Sequence, residues 1–185
     1  MQDNRGEYAL NSKKFLLNSI YELLQKNSLE KITVEMILED SGVSRATFYR
    51  YFRDKYELMN WYYKVNIDKL TINIKELPWK DALIEILEFL KSNRDYFKNA
   101  IKVEGPDSFI QFLYQYSFDF YEREYLKHIG RESLNIEAKI CIEFLSSGHV
   151  FVLKKWLERG CQVPPKDMAE ILFLLIPENI RLCFE

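Results

Sequence analysis

The stretch that most narrows what this chain can become is Gly42-Val43-Ser44-Arg45-Ala46-Thr47-Phe48-Tyr49-Arg50-Tyr51-Phe52-Arg53-Asp54-Lys55. A helix opened by Ser44 turns about 100° per residue, which sets Phe48, Tyr51 and Phe52 on one side and Arg45, Ala46, Tyr49 and Arg50 on the other. The first side suits burial; the second is left to be offered. Arg45, Arg50, Arg53 and Lys55 stand against the single acid Asp54, so the offered side is locally positive in a chain whose net charge is −2. An anionic partner is the natural reading, because the clustering of cations matters more than their total.

The segment just before it has the matching form. Thr33 is suited to cap a helix, since its hydroxyl can accept from the free N–H groups of the next turn. Val34, Ile37 and Leu38 then recur at i, i+3 and i+4, and Ser41-Gly42 ends the helix because glycine takes a left-handed backbone without steric cost. A short helix, a tight turn and a basic, aromatic-bearing second helix make a helix-turn-helix, whose second helix enters the DNA major groove.

Thr33-Val34-Glu35-Met36-Ile37, the run from Gly42 to Phe52 and Asp54-Lys55-Tyr56-Glu57-Leu58 together resemble the DNA-binding domain of the tetracycline-repressor (TetR) family. The resemblance implies a DNA-binding domain over residues 1–56 and a C-terminal regulatory and dimerisation domain over 57–185. By position it implies that Thr33, Ser44 and Lys55 anchor the DNA backbone, a role that helix N-termini also suit on physical grounds. Thr47 and Tyr49 match residues that contact phosphate or the groove edge. Arg45, Ala46 and Arg50 match the base-reading positions, and an arginine can pair bidentately with guanine. Asn27 and Leu38 depart from the glycine and the small alanine common in the family.

With 48% hydrophobic and 29% charged residues, only six glycines and five prolines, and no hairpin-like Asn-Gly or Asp-Gly pair, the chain reads as an all-α globular protein. Cys141, Cys161 and Cys183 lack metal-ligand or paired spacing, so no disulfide framework, metal site or cofactor is implied and a reducing cytoplasm is the expected setting. No apolar run approaches the roughly 20 residues that cross a bilayer.

Met1 to Leu10 reads as a mobile arm. Leu16, Ile20, Leu23 and Leu24 give the first helix an inward stripe, and Asn27 is expected to end it in a left-handed conformation. Ile32, Ile37, Phe48 and Phe52 close the small core. Asp54 with Glu57 forms a capping box opening a fourth helix. Leu58, Trp61, Tyr62 and Val65 give its inward stripe, and the helix is expected to run to Leu77 before Pro78.

Further helices follow around Leu83 to Leu90, Tyr96 to Ile101 and Phe109 to Phe120, with a Gly105-Pro106-Asp107 turn. The resemblance implies that this region holds a small-molecule effector in a pocket lined by residues such as Tyr62, Phe109, Phe112 and Tyr116. The plain alternative is that these aromatics fill a core. His149, beside Gly148 in an apolar helix, joins the pocket candidates.

The stretches Ile140 to Trp156 and Ile171 to Ile176 are apolar on more than one side, and a helix apolar on two sides is buried on two sides. A second copy of the chain is the economical partner, with Phe144, Gly148, Phe151, Val152, Ile171, Phe173 and Leu174 at the interface. Such a dimer presents two recognition helices roughly 34–36 Å apart to a near-palindromic operator. Trp156-Leu157-Glu158-Arg159-Gly160 and Pro164-Pro165 also resemble the TetR branch that includes activators of dihydroxyacetone-kinase genes.

No catalytic set is present: the only two histidines, His128 and His149, are widely spaced, and Ser146-Ser147-Gly148-His149 lacks a nucleophile-elbow context. The expected function is a homodimeric, cytoplasmic transcription regulator, a repressor, switched through its C-terminal domain. The alternative is a coactivator switched by a protein partner with no small-molecule ligand.

Overall fold

The computed structural model of the chain describes residues 3–71 and 78–184, with side chains for 11–70 and 78–184. The described residues form helices joined by turns and contain no strand: α1 Asp3–Lys26, a 3-10 turn Leu29–Lys31, α2 Val34–Ser41, α3 Arg45–Tyr51, α4 Lys55–Thr71, α5 Trp79–Ser92, α6 Arg94–Ala100, α7 Phe109–Ile129, α8 Ile136–Glu158, α9 Pro165–Leu174, α10 Glu178–Arg181 and a closing 3-10 turn Leu182–Phe184. The fold is all-α, with an N-terminal helix-turn-helix followed by a helical C-terminal region.

Two compact units divide the chain. The first comprises residues 1–66 and 95–109, the second 67–94 and 110–185. The unit that holds the helix-turn-helix therefore reaches past residue 56 and draws in most of α4 and α6.

In the first unit α1 is already helical from Asp3, ahead of the arm expected to last to Leu10. Leu16, Ile20 and Leu24 are fully buried and meet Ile32, Ile37, Phe48 and Phe52 in one core. Asn27 does end α1, but by a different device from a left-handed turn: its side-chain amide donates to the Leu23 carbonyl at 3.0 Å, and among the described residues only Cys161 and four glycines have positive φ. The Leu23 carbonyl also accepts the Asn27 backbone N–H at 2.9 Å, so the side-chain amide adds a second donor to the last turn of the helix.

On α4 the buried line is Leu58, Met59, Tyr63 and Ile67. Trp61 and Tyr62 are half-buried beside it because each rests on a ring, Trp61 on Phe52 at 5.3 Å and Tyr62 on Tyr96 at 4.6 Å. The expected extension of α4 to Leu77 falls on 72–77, outside the described residues; Pro78 caps the start of α5. Helix α6 is fastened within this unit by two long-range bonds, from the Tyr96 hydroxyl to the Met59 carbonyl (2.9 Å) and from Asn99 to the Leu24 carbonyl (2.8 Å).

In the second unit α5 packs along α9, with Leu83, Leu87 and Leu90 buried on one and Met168, Ala169 and Leu172 on the other. Lys80 and Glu170 pair across them at 3.3 Å. The Trp79 ring stacks on Phe120 (4.4 Å) and Phe184 (5.3 Å). Helix α8 starts where Asn135 accepts the Ala138 N–H at 2.8 Å, a strong N-cap. After α8 the Trp156 indole donates to the Val163 carbonyl at 2.8 Å and closes the turn that leads into α9. Pro165 takes the first position of α9, where its missing N–H costs nothing.

Candidate nucleic-acid interface

The two helix starts that frame the turn are built by their caps. The Thr33 hydroxyl accepts the Met36 N–H at 3.2 Å, and the Ser44 hydroxyl accepts the Thr47 N–H at the same distance. Between them Gly42 has φ 66° and ends α2, its N–H donating to the Leu38 carbonyl at 3.0 Å. A side chain there would be strained even though the space is open.

Helix α3 divides as its sequence implies. Phe48 and Phe52 are buried, while Arg45, Ala46, Tyr49 and Arg50 are exposed together on the opposite face. The Tyr49 ring stands half exposed, edge-on to Phe48 at 5.2 Å and under the Arg45 guanidinium at 5.8 Å. Arg45 also forms an ion pair with Glu35 at the start of α2, a partner the sequence reading did not name. The signal was there, since Glu35 stands in the first turn of α2 and its charge suits that end of the helix dipole. The Arg45 guanidinium lowers the Glu35 pKa, though a backbone hydrogen bond lowers it more. Among the described residues Arg50 makes no ion pair or hydrogen bond, and its exposed cation can meet phosphate or a base edge.

Thr47 and Lys55 sit otherwise than a surface role would suggest. Thr47 is buried, and its hydroxyl receives the Ser44 hydroxyl at 2.9 Å. The Lys55 ammonium donates to the carbonyls of Leu29 (2.7 Å) and Ile32 (2.6 Å), tying the start of α4 to the turn before α2. Its burial holds the ammonium pKa below the ordinary lysine value. Lys13, just before the α1 core stripe, rests its ammonium over the rings of Tyr51 (4.9 Å) and Trp61 (5.0 Å). Asp54 and Glu57 close the start of α4 with a variant of the capping box. Asp54 accepts the Glu57 N–H at 2.9 Å, while Glu57 reaches one residue further back, to the Arg53 N–H at 2.7 Å.

Residues 16–60 match the sequence profile of the tetR family of bacterial regulatory proteins. Residues 78–178, more than half of the 185, match the profile of a transcriptional regulator C-terminal region. The chain belongs to the TetR family of transcriptional regulators. It is a DNA-binding transcription regulator.

This TetR-family chain is 24% identical over 94 residues to the HTH-type dhaKLM operon transcriptional activator DhaS of Lactococcus lactis, covering 50% of each protein. It is 20% identical over 184 residues to an uncharacterised HTH-type regulator, YuxN, of Bacillus subtilis, covering 91% of this chain and 62% of that protein. The chain thus spans between half and about three-fifths of the length of these curated relatives. Among solved structures, a dihydroxyacetone kinase operon activator DhaS superposes with a TM-score of 0.64 at 18% identity, over 94% of this chain and 98% of the other. A TetR regulator from Streptococcus agalactiae superposes with 0.63 at 20% identity, over 96% and 100%. These likenesses fix the fold.

The pocket candidates fall in both units. In the first, Tyr62 packs against Tyr21 and Tyr96, and Phe109 is fully buried against Phe97 and Tyr63, each 5.4 Å away. In the second, Phe112 and Tyr116 pair at 5.9 Å, and the Tyr116 hydroxyl donates to Asp68 at 2.8 Å. His149 is buried in α8, its Nδ1 lying 3.1 Å from the Tyr121 hydroxyl. Burial pushes its pKa down to about 4 against the opposing pull of the Leu172 carbonyl, so the ring is neutral at pH 7. A cleft of about 330 Å³ in this unit is lined instead by residues that include Phe151, Val152, Lys155, Trp156 and Met168.

The interface candidates mostly lie on the surface. Phe144 is 78% exposed, and Phe151, Ile171 and Leu174 are exposed with it; Val152 and Phe173 are half-buried. Ile136 and Ile140 continue the α8 stripe and Leu175 the α9 stripe, all exposed. The i, i+4, i+8 spacing of Ile136, Ile140 and Phe144 was the signal for the first two. Gly148 lies in the same stripe, and a Cβ built on it would meet nothing within 4 Å. No described helix is long and apolar enough to cross a membrane.

Proposed function

We propose that this TetR-family protein is a homodimeric repressor that reads a near-palindromic operator in the cytoplasm and is switched through its C-terminal domain. The observation that carries the reading is the pairing of two surfaces on one chain. One is the cationic face of α3 with Arg45, Tyr49 and Arg50; the other is the apolar face of α8 and α9 that water alone covers in a single copy. Exposed apolar stripes of this kind mark protein contacts. Burying Phe144, Phe151, Ile171 and Leu174 against a second copy removes them from water and supplies the two-fold symmetry a palindrome demands.

Arg45, Ala46 and Arg50 read bases in this proposal. Thr33, Ser44 and Tyr49 meet backbone phosphates, and Thr47 and Lys55 support them from behind. Repression follows from occupancy, since a dimer seated on promoter DNA excludes polymerase without needing a further surface. An effector shifts that occupancy only by binding the two conformations with different affinity. His149 and the aromatic candidates Phe112 and Tyr116 are the places in the C-terminal unit to look for it, with Tyr62 and Phe109 in the first.

A second reading is a coactivator switched by a protein partner. The likeness to a relative named as an operon activator favours it, as does the dense ring packing around Trp79, Phe120 and Tyr121. Fluorescence anisotropy on the DNA just upstream of the gene, against scrambled DNA, with transcription from that DNA followed alongside, separates the two. Selective binding that lowers transcription supports the repressor; binding that raises transcription only with a second protein supports the coactivator.

A further inference from the structure

Arg53 is the one residue between Phe52, which caps the end of α3, and Asp54, which caps the start of α4. Its polar groups are held by three carboxylates. Its N–H donates to Glu57 at 2.7 Å and its Nε to Asp54 at 2.9 Å, both within four residues. Its terminal nitrogen donates to Asp107 at 2.5 Å across 54 residues. The Asp107 carbonyl in turn receives the side-chain amide of Asn60, a buried residue of α4, at 3.4 Å. Asp107 is therefore bonded to the link between α3 and α4, at Arg53, and to α4 itself, at Asn60.

The turn that carries Asp107 is fixed from within. Gly105 has φ 105°, a backbone that L side chains rarely adopt; Pro106 has its φ locked; and the Ser108 N–H closes on the Gly105 carbonyl at 3.1 Å. Two residues on, Phe109 is buried between Phe97 and Tyr63. Asp107 thus has a firm base and touches the junction that aims α3.

We propose that Asp107 is a positioning residue for DNA recognition, setting the angle of α3 on α4 through Arg53 and Asn60. Arg53 contributes through this clasp, in which Asp54 and Asp107 hold its guanidinium. Both partners are exposed, so the pair adds little to folding stability, and a change in DNA binding reports on position.

The test uses the full chain with Asp107→Asn, Asp107→Glu, Arg53→Gln and the Arg53→Gln/Asp107→Asn double variant. The probe is a duplex that the unaltered protein enriches from a randomised pool, titrated across a salt series, with thermal midpoints recorded. Asp107→Asn and Arg53→Gln should each weaken binding about three- to tenfold, the double variant no further, and Asp107→Glu should recover most of the loss. Salt slope and thermal midpoint should stay as they were. Tighter binding by Asp107→Asn with a steeper salt slope overturns the proposal, because Asp107 would then only mask a phosphate-binding arginine. Unchanged binding, independent additive losses, or a loss that tracks a falling thermal midpoint overturns it equally.

Discussion

At the scale of single residues, the recognition face depends on which cations the chain already holds. Arg45 shares its charge with Glu35 yet remains exposed, so it can exchange that partner for a guanine edge. Arg45→Ala should weaken operator binding by about 1–3 kcal/mol and relax preference at one base pair, as anisotropy on a set of single-base operator variants would show. Lys55 is different, because its hydrogen bonds run to the chain's own carbonyls. Lys55→Met should lower stability by about 1–2 kcal/mol in denaturant unfolding and leave the salt slope of DNA binding unchanged; a slope reduced by about 0.9 would assign it to phosphate. Nothing in the linear sequence separates these two residues. Both are cations flanking the same motif, and only the path of the turn around Leu29 brings backbone carbonyls to Lys55. Thr47 poses a related ambiguity: a small polar residue near a helix start serves groove and cap equally well, and its hydroxyl receives that of Ser44. His149 carries the pH dependence. Its folded pKa of about 4 lies below the ordinary value of 6.5, so the unfolded chain binds the proton more readily. The His149 contribution to stability should fall as pH drops from about 6.5 to 4, by about 3 kcal/mol. Unfolding of His149→Gln across that range should lack this component.

At the scale of elements, the helix-turn-helix was legible because local rules agree over its whole length. Thr33 and Ser44 cap, Gly42 turns, and Phe48 and Phe52 repeat at the period of the buried face. The start of α1 was less legible: polar composition suggested an arm, whereas helix propensity carries the backbone back to Asp3. The α4 stripe was displaced because aromatic rings can be half-buried against other rings without facing a core. The outer faces of α8 and α9 make a prediction of their own. Phe144→Glu with Leu174→Glu should leave the helical content intact, since both side chains stand in water in a single copy, and should give monomers in sedimentation. A persisting dimer would put the interface elsewhere. Gly148 costs α8 stability relative to alanine, and no neighbour among the described residues requires it. Gly148→Leu should therefore weaken the dimer at least tenfold while the isolated chain keeps or gains thermal stability.

At the scale of the whole molecule, membership of the TetR family joins a recognition helix to a C-terminal region of known type. The proposed dimer gives that pairing its meaning. One chain offers one α3, and a single short helix reads only a few base pairs; two related by a dyad read an operator. The aromatic candidates show where legibility ends. Phe109, Phe112 and Tyr116 recur at helical spacing whether they line a pocket or fill a core, and their surroundings come from segments far away in sequence. The most direct measurement is selection of duplexes from a randomised pool by the purified chain, with the number of chains on each enriched duplex determined by sedimentation. The expected result is a near-palindrome whose half-sites lie about 10 base pairs apart, carrying two chains, with one half-site position degenerate for Arg45→Ala. Enrichment of a single half-site bound by one chain, or no enrichment over the starting pool, would contradict it.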